Sequence, residues 1–220
     1  HYPLRRQRQM CIRDRGTSEA VEKYGRDSDL AMNIAMKGKE MRRDIEHAFV
    51  GAGQAGTAGN STTARQLTSA QNQINAATTN TAGSNRTFTE ALLLGTLQSV
   101  YEAGGDPNQI QVTPSHSVLV ANFAASSGRN RDFSTGTKLV NSVDLYVSPF
   151  GACSVVPNRF LQANSCLVLD TEYWSRAVLR PMQTINLARN GDSEKKQMLT
   201  EQTLVCENDK ASGLINAQPA

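Results

Sequence analysis

The stretch from Val143 to Ile215 constrains the fold most, because it carries most of the β-strand signal in the chain. Apolar residues at positions 143, 145 and 147 alternate with Asp144 and Tyr146, and short apolar or alternating runs follow at 153–156, 166–169 and 199–205. The runs are bounded by residues that favour turns: Pro149, Gly151, Pro157, Asn164, Pro181, Gly191 and Asp192. Short strands separated by turns at this spacing predict an antiparallel sheet.

The clearest helical pattern lies earlier, between Asp27 and Val50, with Ser28 as the predicted N-cap. Apolar residues recur there at helical spacings: Leu30, Ile34, Met41, Ile45 and Ala48 or Phe49. Charged residues occupy many of the other positions. A single apolar stripe predicts a helix that lies across a sheet and turns its charges to solvent or to a neighbouring molecule.

Two shorter helices are predicted between these regions. Thr87 and Glu90 form a capping box that predicts the start of the first, and Gly104 with Gly105 predicts its end. A short strand is predicted around 110–112, and Thr113 is the predicted N-cap of the second helix. Four side chains of this second helix are expected to face inward: Val118, Leu119, Phe123 and Ala124.

Five blocks occur in the same order as in the major capsid, or head, proteins of tailed bacteriophages: VDLYVSPFG, VVPNRF, LVLDTEYW, LRPMQTINLARNGDSEK and TEQTL. The chain resembles this family from about Gly16 to Ile215, and several collinear blocks are more specific than any single motif. The resemblance implies an α+β fold of the Hong Kong ninety-seven type. That fold would place a long spine helix and an antiparallel sheet in a peripheral domain, beside an axial domain.

The resemblance also implies domain boundaries. Residues 16–54 would hold the end of an extended loop region and the spine helix, both in the peripheral domain. Residues 55–150 would form the axial domain. Residues 151–220 would supply the remaining peripheral strands and the C-terminus. Residues 1–15 match nothing in the family and look like translated adapter sequence. We predict that they form a foreign or disordered tail, and that the family pattern begins partway, so that the chain is N-terminally truncated.

The function implied is structural. The chain would be a subunit that self-assembles through hexamers and pentamers into the icosahedral head of a tailed double-stranded DNA phage. Its partners would be copies of itself, with portal, scaffolding and decoration proteins as further candidates, and packaged DNA inside the shell would be held without sequence-specific binding. The expected location is the virion, after assembly in the host bacterial cytoplasm. No membrane partner is expected, because no run of about eighteen apolar residues occurs.

Two alternatives come from other classes of protein. Gly51, Gly53 and Gly56 in GAGQAG match GxGxxG, a fingerprint of dinucleotide-binding enzymes. The flanks argue against it, because a helical pattern precedes the loop and a polar tract follows, where a strand and a helix are required. The second alternative is a DNA-binding module. The net charge of +3 comes from the arginines of residues 1–15, however, and the rest of the chain is close to neutral.

No catalytic, cofactor-binding or metal-ligating residue is predicted, and we do not expect an enzyme. His1, His47 and His116 have no nucleophile or metal partner at motif spacing, and the four cysteines form no CxxC pair. Trp174 is expected to pack over the sheet edge, with an anchor at a subunit interface as the alternative. Arg180 could pair with an acid within the chain or across a subunit boundary.

Overall fold

A computed structural model describes residues 7–16, 21, 24–25, 28–51, 53–81, 87–126, 145–189 and 191–216. The helices are α1 (Asp29–Glu46), α2 (Glu90–Glu102) and α3 (Pro114–Ser126). The strands are β1 (Gln7–Arg15), β2 (Thr79–Thr81), β3 (Gln109–Val112), β4 (Leu145–Ser148), β5 (Gly151–Pro157), β6 (Cys166–Leu169), β7 (Trp174–Asn186), β8 (Ser193–Cys206) and β9 (Gly213–Asn216). None of these helices is both long and apolar enough to span a membrane.

The chain divides into two compact units. Unit 1 comprises residues 1–49, 54–68 and 176–205. It contains α1 and a three-stranded sheet of order β1-β8-β7. The apolar stripe of α1 packs on this sheet, since Leu30 and Met41 form a buried cluster with Ile12 of β1 and Met198 of β8. The Ser28 side chain accepts a hydrogen bond from the Ala31 amide at 3.1 Å, as predicted for the N-cap.

Unit 2 comprises residues 50–53, 69–175 and 206–220. Its six-stranded sheet has the order β2-β9-β6-β3-β5-β4. Alternate residues of each strand point to the same side of the sheet. On one side they pack against α2 and α3 and form a buried cluster with them. The fully buried side chains of this core come from the residue pair before α2, from both helices and from the sheet: Phe88, Leu93, Leu97, Val120, Ile110 and Ile215.

The predicted antiparallel sheet is a mixed one in unit 2. The pairs β4–β5, β3–β6 and β6–β9 are antiparallel, whereas β3–β5 and β2–β9 are parallel. The sequence could not reveal this, because parallel pairing joins strands that are distant along the chain. The α+β class itself is confirmed, and the predicted turn at 149–151 does join β4 to β5.

The segment predicted to be a foreign or disordered tail forms a strand over Gln7–Arg15. All nine residues of β1 pair in antiparallel register with β8, from Gln7 opposite Glu201 to Arg15 opposite Ser193. Disorder does not hold for this stretch, because Met10 and Ile12 alternate with polar positions and place an apolar side chain against α1. That the segment is foreign to the family stays a prediction. Residues 1–6 lie outside the described residues.

The predicted helix starts and inward faces also need correction. Helix α2 begins at Glu90 with Thr89 as its N-cap, so Thr87 lies outside it. Glu90 instead accepts a hydrogen bond from the Tyr146 hydroxyl at 3.0 Å, a tertiary contact that replaces the capping box. In α3, Val118 is 60% exposed, whereas His116 and Val120 are fully buried. The side chain of Ala124 lies outside the described residues.

The predicted domains 16–54, 55–150 and 151–220 stay a prediction, and the two compact units have different bounds. The segments 151–175 and 206–216 belong with the six-stranded sheet, and 54–68 belongs with α1. Backbone hydrogen bonds place 151–175 and 206–216 in unit 2, because β5, β6 and β9 pair with β2, β3 and β4 in one sheet.

Candidate functional site

The most exposed element among the described residues is strand β7. Twelve of its thirteen residues are exposed, so side chains on both faces of the strand meet solvent. Five apolar side chains of β7 and the residue after it are among them: Val178 (43%), Leu179 (75%), Met182 (38%), Ile185 (39%) and Leu187 (36%). At about 3.3 Å per residue the strand is roughly 43 Å long. It is an edge strand of the sheet in unit 1, because β8 is its neighbour on one side only.

An edge strand of this kind presents backbone N–H and C=O groups that can pair with another chain. Arg176, Arg180 and Pro181 lie within it, and such residues limit indiscriminate pairing at sheet edges. A groove of about 260 Å³ lies beside the strand within unit 1, lined by residues from β7, β8 and the segment 54–68: Arg65, Ala177, Val178, Leu179, Glu201, Gln202 and Thr203. The element is therefore suited to receive an extended, partly apolar segment.

Strand β7 is not among the strands that the sequence predicts. Pro181, which is predicted to lie in a turn, lies inside the strand, where an edge position tolerates its missing N–H. The signal that could have revealed the strand is its mixture of β-branched and aromatic residues ahead of the Gly191 turn. Arg180 pairs within the chain, with its Nε 3.3 Å from the Glu201 carboxylate. Both groups remain partly exposed, so this pair contributes little to stability.

The GAGQAG loop has none of the surroundings of a dinucleotide site. It directly follows α1 and a single π-helical turn at His47–Gly51, where a dinucleotide site requires a strand. A Cβ on Gly53 would lie 2.7 Å from Gln162 Oε1, and one on Gly56 would lie 2.0 Å from Thr68 Oγ1. Close packing therefore accounts for two of the three glycines, and Gly53 also adopts a positive φ of 56°.

Three polar or aromatic side chains of unit 2 have structural roles within the chain. His116 is fully buried and stacks on Phe88 with ring centroids 4.9 Å apart, which places it in the core of unit 2. The carboxylate of Asp170 accepts backbone hydrogen bonds from Asp106 (3.1 Å) and Glu172 (3.2 Å). The half-buried Trp174 donates its indole N–H to Ser212 Oγ at 2.8 Å, as expected for packing within the chain.

The cysteines are free thiols in contrasting environments. Cys11 is exposed, whereas Cys153 and Cys166 are fully buried. Burial raises the pKa of the Cys166 thiol to about 12. Burial, helped by the negative charge of Asp106, raises the pKa of Cys153 to about 11, and its Sγ donates to the Pro107 carbonyl at 3.1 Å. Protonated thiols of this kind are poor nucleophiles.

The arginines of residues 1–15 account for the positive net charge, which argues against the DNA-binding alternative, and the structure places part of that segment in a sheet. Arg13 stands directly opposite Lys195 in the β1–β8 register, and Asp14 stands opposite Glu194. Glu194 also accepts a charge-assisted hydrogen bond from Arg189. Charges of both signs thus meet at this end of the sheet, which differs from the uniform basic surface that nucleic acids favour.

Comparison with known proteins assigns the chain. The sequence profile of the family described as SU10 major capsid protein matches residues 15–218. The chain belongs to this family. It is accordingly a major capsid protein of a tailed phage, a building unit of an icosahedral shell, and this supports the structural reading over the nucleotide-binding and DNA-binding alternatives.

Relatives of this major capsid protein agree in sequence and in fold. The major capsid protein of Escherichia phage Phieco32 is 24% identical over 254 residues, covering 93% of this chain and 72% of the relative. The SrpI encapsulin of Synechococcus elongatus superposes with a TM-score of 0.69 at 9% identity, over 97% of this chain and 74% of the encapsulin. The capsid protein of cyanophage A-1(L) gives a TM-score of 0.68 at 12% identity, over 97% and 77%. These likenesses confirm the predicted Hong Kong ninety-seven type fold.

Proposed function

We propose that this major capsid protein works by association alone, and that β7 is a principal surface on which a neighbouring copy docks. The exposure of β7 on both faces and along its edge is the observation that carries the proposal. An exposed, long edge strand with apolar side chains is a liability in a protein that remains monomeric. In a shell of identical subunits the same strand can bind a neighbouring copy and become buried.

A closed shell requires contacts in which different surfaces of neighbouring subunits meet. Rings of copies form when one surface meets a different surface of the next subunit and the rotation closes. Each such contact ordinarily buries on the order of 1,600 Å² in total. A strand of thirteen exposed or half-buried residues supplies a substantial share of one partner's side.

The two compact units suggest how the domain names apply. Unit 1, with α1 and the long strands β7 and β8, corresponds best to a peripheral domain with α1 as its spine helix. Unit 2, with its six-stranded sheet and two helices, corresponds best to an axial domain. Its boundaries would then be 50–53, 69–175 and 206–220, rather than 55–150.

The remaining partners follow from the shell role. Portal, scaffolding and decoration proteins are proposed to contact the assembled lattice, and packaged double-stranded DNA is proposed to lie inside without sequence-specific binding. We also propose that assembly takes place in the host bacterial cytoplasm. We further propose that the chain has no enzymatic activity, since its buried thiols and core histidine take structural roles.

The direct test is assembly of the purified chain, followed by electron microscopy and sedimentation velocity. Capsomers or shells are the expected products. A chain that stays monomeric across a wide range of concentration and salt, while remaining folded, would contradict the proposal. A dinucleotide serves as the negative control, and we expect it neither to quench Trp174 fluorescence nor to raise the melting temperature.

A further inference from the structure

One face of the six-stranded sheet is open over β4, β5 and part of β3. In β4, Leu145 and Val147 are 58% and 60% exposed, whereas Tyr146 and Ser148 point to the opposite, buried side. The registers Leu145–Ser154 and Gln109–Ser154 align the strands, so alternate residues share this face. We call this set the open face: Gln109, Gln111, Leu145, Val147, Ala152, Ser154 and Val156.

The open face carries no charged residue, although charged residues make up 20% of the chain. Soluble proteins usually place charges on roughly a quarter to a third of their surface positions. Depletion of charge is also the compositional signal of the buried centre of protein interfaces. Seven neighbouring positions without charge, four of them exposed aliphatic residues, therefore indicate a surface that another molecule covers in the assembled protein.

The same face is already covered farther along the sheet. Leu169 and Leu167 of β6 stand beside Gln109 and Gln111 in the register, and they are 7% and 0% exposed. Leu214 of β9, next to Leu167, is 6% exposed. The chain thus covers its own apolar layer over β6 and β9 and leaves it uncovered over β5 and β4, where the sheet ends at an edge strand.

We propose that a second copy of this chain covers the open face, so that subunits also meet through unit 2. The inference rests on the proposed function, because the neighbours of each subunit in a shell of one repeated chain are identical copies. The absence of charge favours an equally uncharged partner surface and gives the contact little dependence on salt. The β4 edge extends the contact by presenting backbone groups beside Val147.

The test compares two aspartate substitutions at valines of equal exposure. Val147→Asp places a charge on the open face, and Val118→Asp places one on α3, where the only other exposed positions among 114–123 are Pro114, Ser115 and Asn122. We expect Val147→Asp to raise the protein concentration needed for assembly at least tenfold, and Val118→Asp to assemble like the wild type. Sedimentation velocity and electron microscopy measure both.

Folding is checked on the same samples through Trp174, whose indole is held against Ser212 in unit 2. If Val147→Asp loses this fluorescence signature, the double variant Leu145→Thr/Val147→Thr replaces it, since threonine removes apolar surface without adding charge. We expect that variant also to assemble less readily. Unaffected assembly of a folded open-face variant, or equal loss in Val118→Asp, would overturn the inference alone. Failure of the wild-type chain to assemble would overturn the proposed function as well.

Discussion

At the scale of single residues, glycines set how closely backbones approach in unit 2. Gly105 follows α2, and a Cβ there would lie 2.8 Å from the Ala211 Cα and 2.9 Å from Val100 Cγ1. Gly95 lies within α2, and a Cβ there would meet nothing within 4 Å. The two positions therefore predict opposite effects of the same substitution.

We expect Gly105→Ala to lower the free energy of unfolding by about 1–3 kcal/mol, because the added methyl group meets backbone that cannot move aside cheaply. Gly95→Ala should raise it by about 0.5–1 kcal/mol, since alanine restricts the unfolded chain and favours the helix. Urea denaturation of both variants measures the two effects. If both variants change the free energy of unfolding equally and in the same direction, the close approach of the backbone at Gly105 does not exclude a methyl group.

The buried thiols give a second prediction at this scale. At pH 8 a maleimide or disulfide reagent should modify Cys11 rapidly and leave Cys153 and Cys166 unmodified until the protein unfolds. The reason is that burial raises their pKa to about 11 and about 12, so that almost no thiolate is present in the folded state. Mass spectrometry of the labelled protein, with and without urea, checks the order.

The same shifts predict alkaline destabilisation. The folded state holds these two protons more tightly than the unfolded chain does, so the thiols' contribution to stability is intact below about pH 9. That contribution is lost as the pH rises toward 11 and 12. Cys166→Ala should flatten this part of the stability profile, and an unchanged profile would contradict the assignment.

At the scale of elements, β1 completes the sheet on which α1 lies. It pairs with β8 over nine residues and contributes Ile12, which is 5% exposed, to the cluster around Met41. An unfolded tail at the same positions would contribute nothing to stability. The strand can therefore be tested through its one buried aliphatic side chain.

We expect Ile12→Ala to lower the free energy of unfolding by about 2–5 kcal/mol, the usual cost of removing a large aliphatic side chain from a packed cluster. Cys11→Ser is the matched control, because Cys11 is the exposed neighbour on the other face of the strand, and it should change stability little. Thermal unfolding monitored by circular dichroism measures both. If Ile12→Ala leaves the free energy of unfolding unchanged, residues 7–15 do not contribute to the stability of the fold.

At the scale of the whole molecule, the two units each present a surface suited to association. Unit 1 offers β7, with Leu179 as its most exposed apolar residue at 75%. Unit 2 offers the open face of its sheet. Two separate contact surfaces on one subunit are what a closed lattice needs, since each subunit must be held by neighbours on more than one side.

Leu179→Asp should block assembly while leaving the fold intact, because the side chain makes few contacts within its own chain but would be buried against a neighbour. We expect folded, soluble monomers or small oligomers where the wild type gives capsomers or shells. Leu179→Met preserves the apolar area and should assemble normally. Light scattering and electron microscopy distinguish these products, and shells formed by Leu179→Asp would exclude β7 from the contact.

Local periodicity and collinear motifs are enough to predict the α+β class, the apolar stripe of α1 with its Ser28 cap, and the family. They do not determine that Ile12 belongs to the core, that β7 is a strand despite Pro181, or that β3 pairs in parallel with β5. Each of these depends on which segments distant in sequence become neighbours. Only the tertiary structure decides that, because strand pairing and burial are properties of two elements together, and the exposed edges that can join subunits are whatever such pairing leaves uncovered.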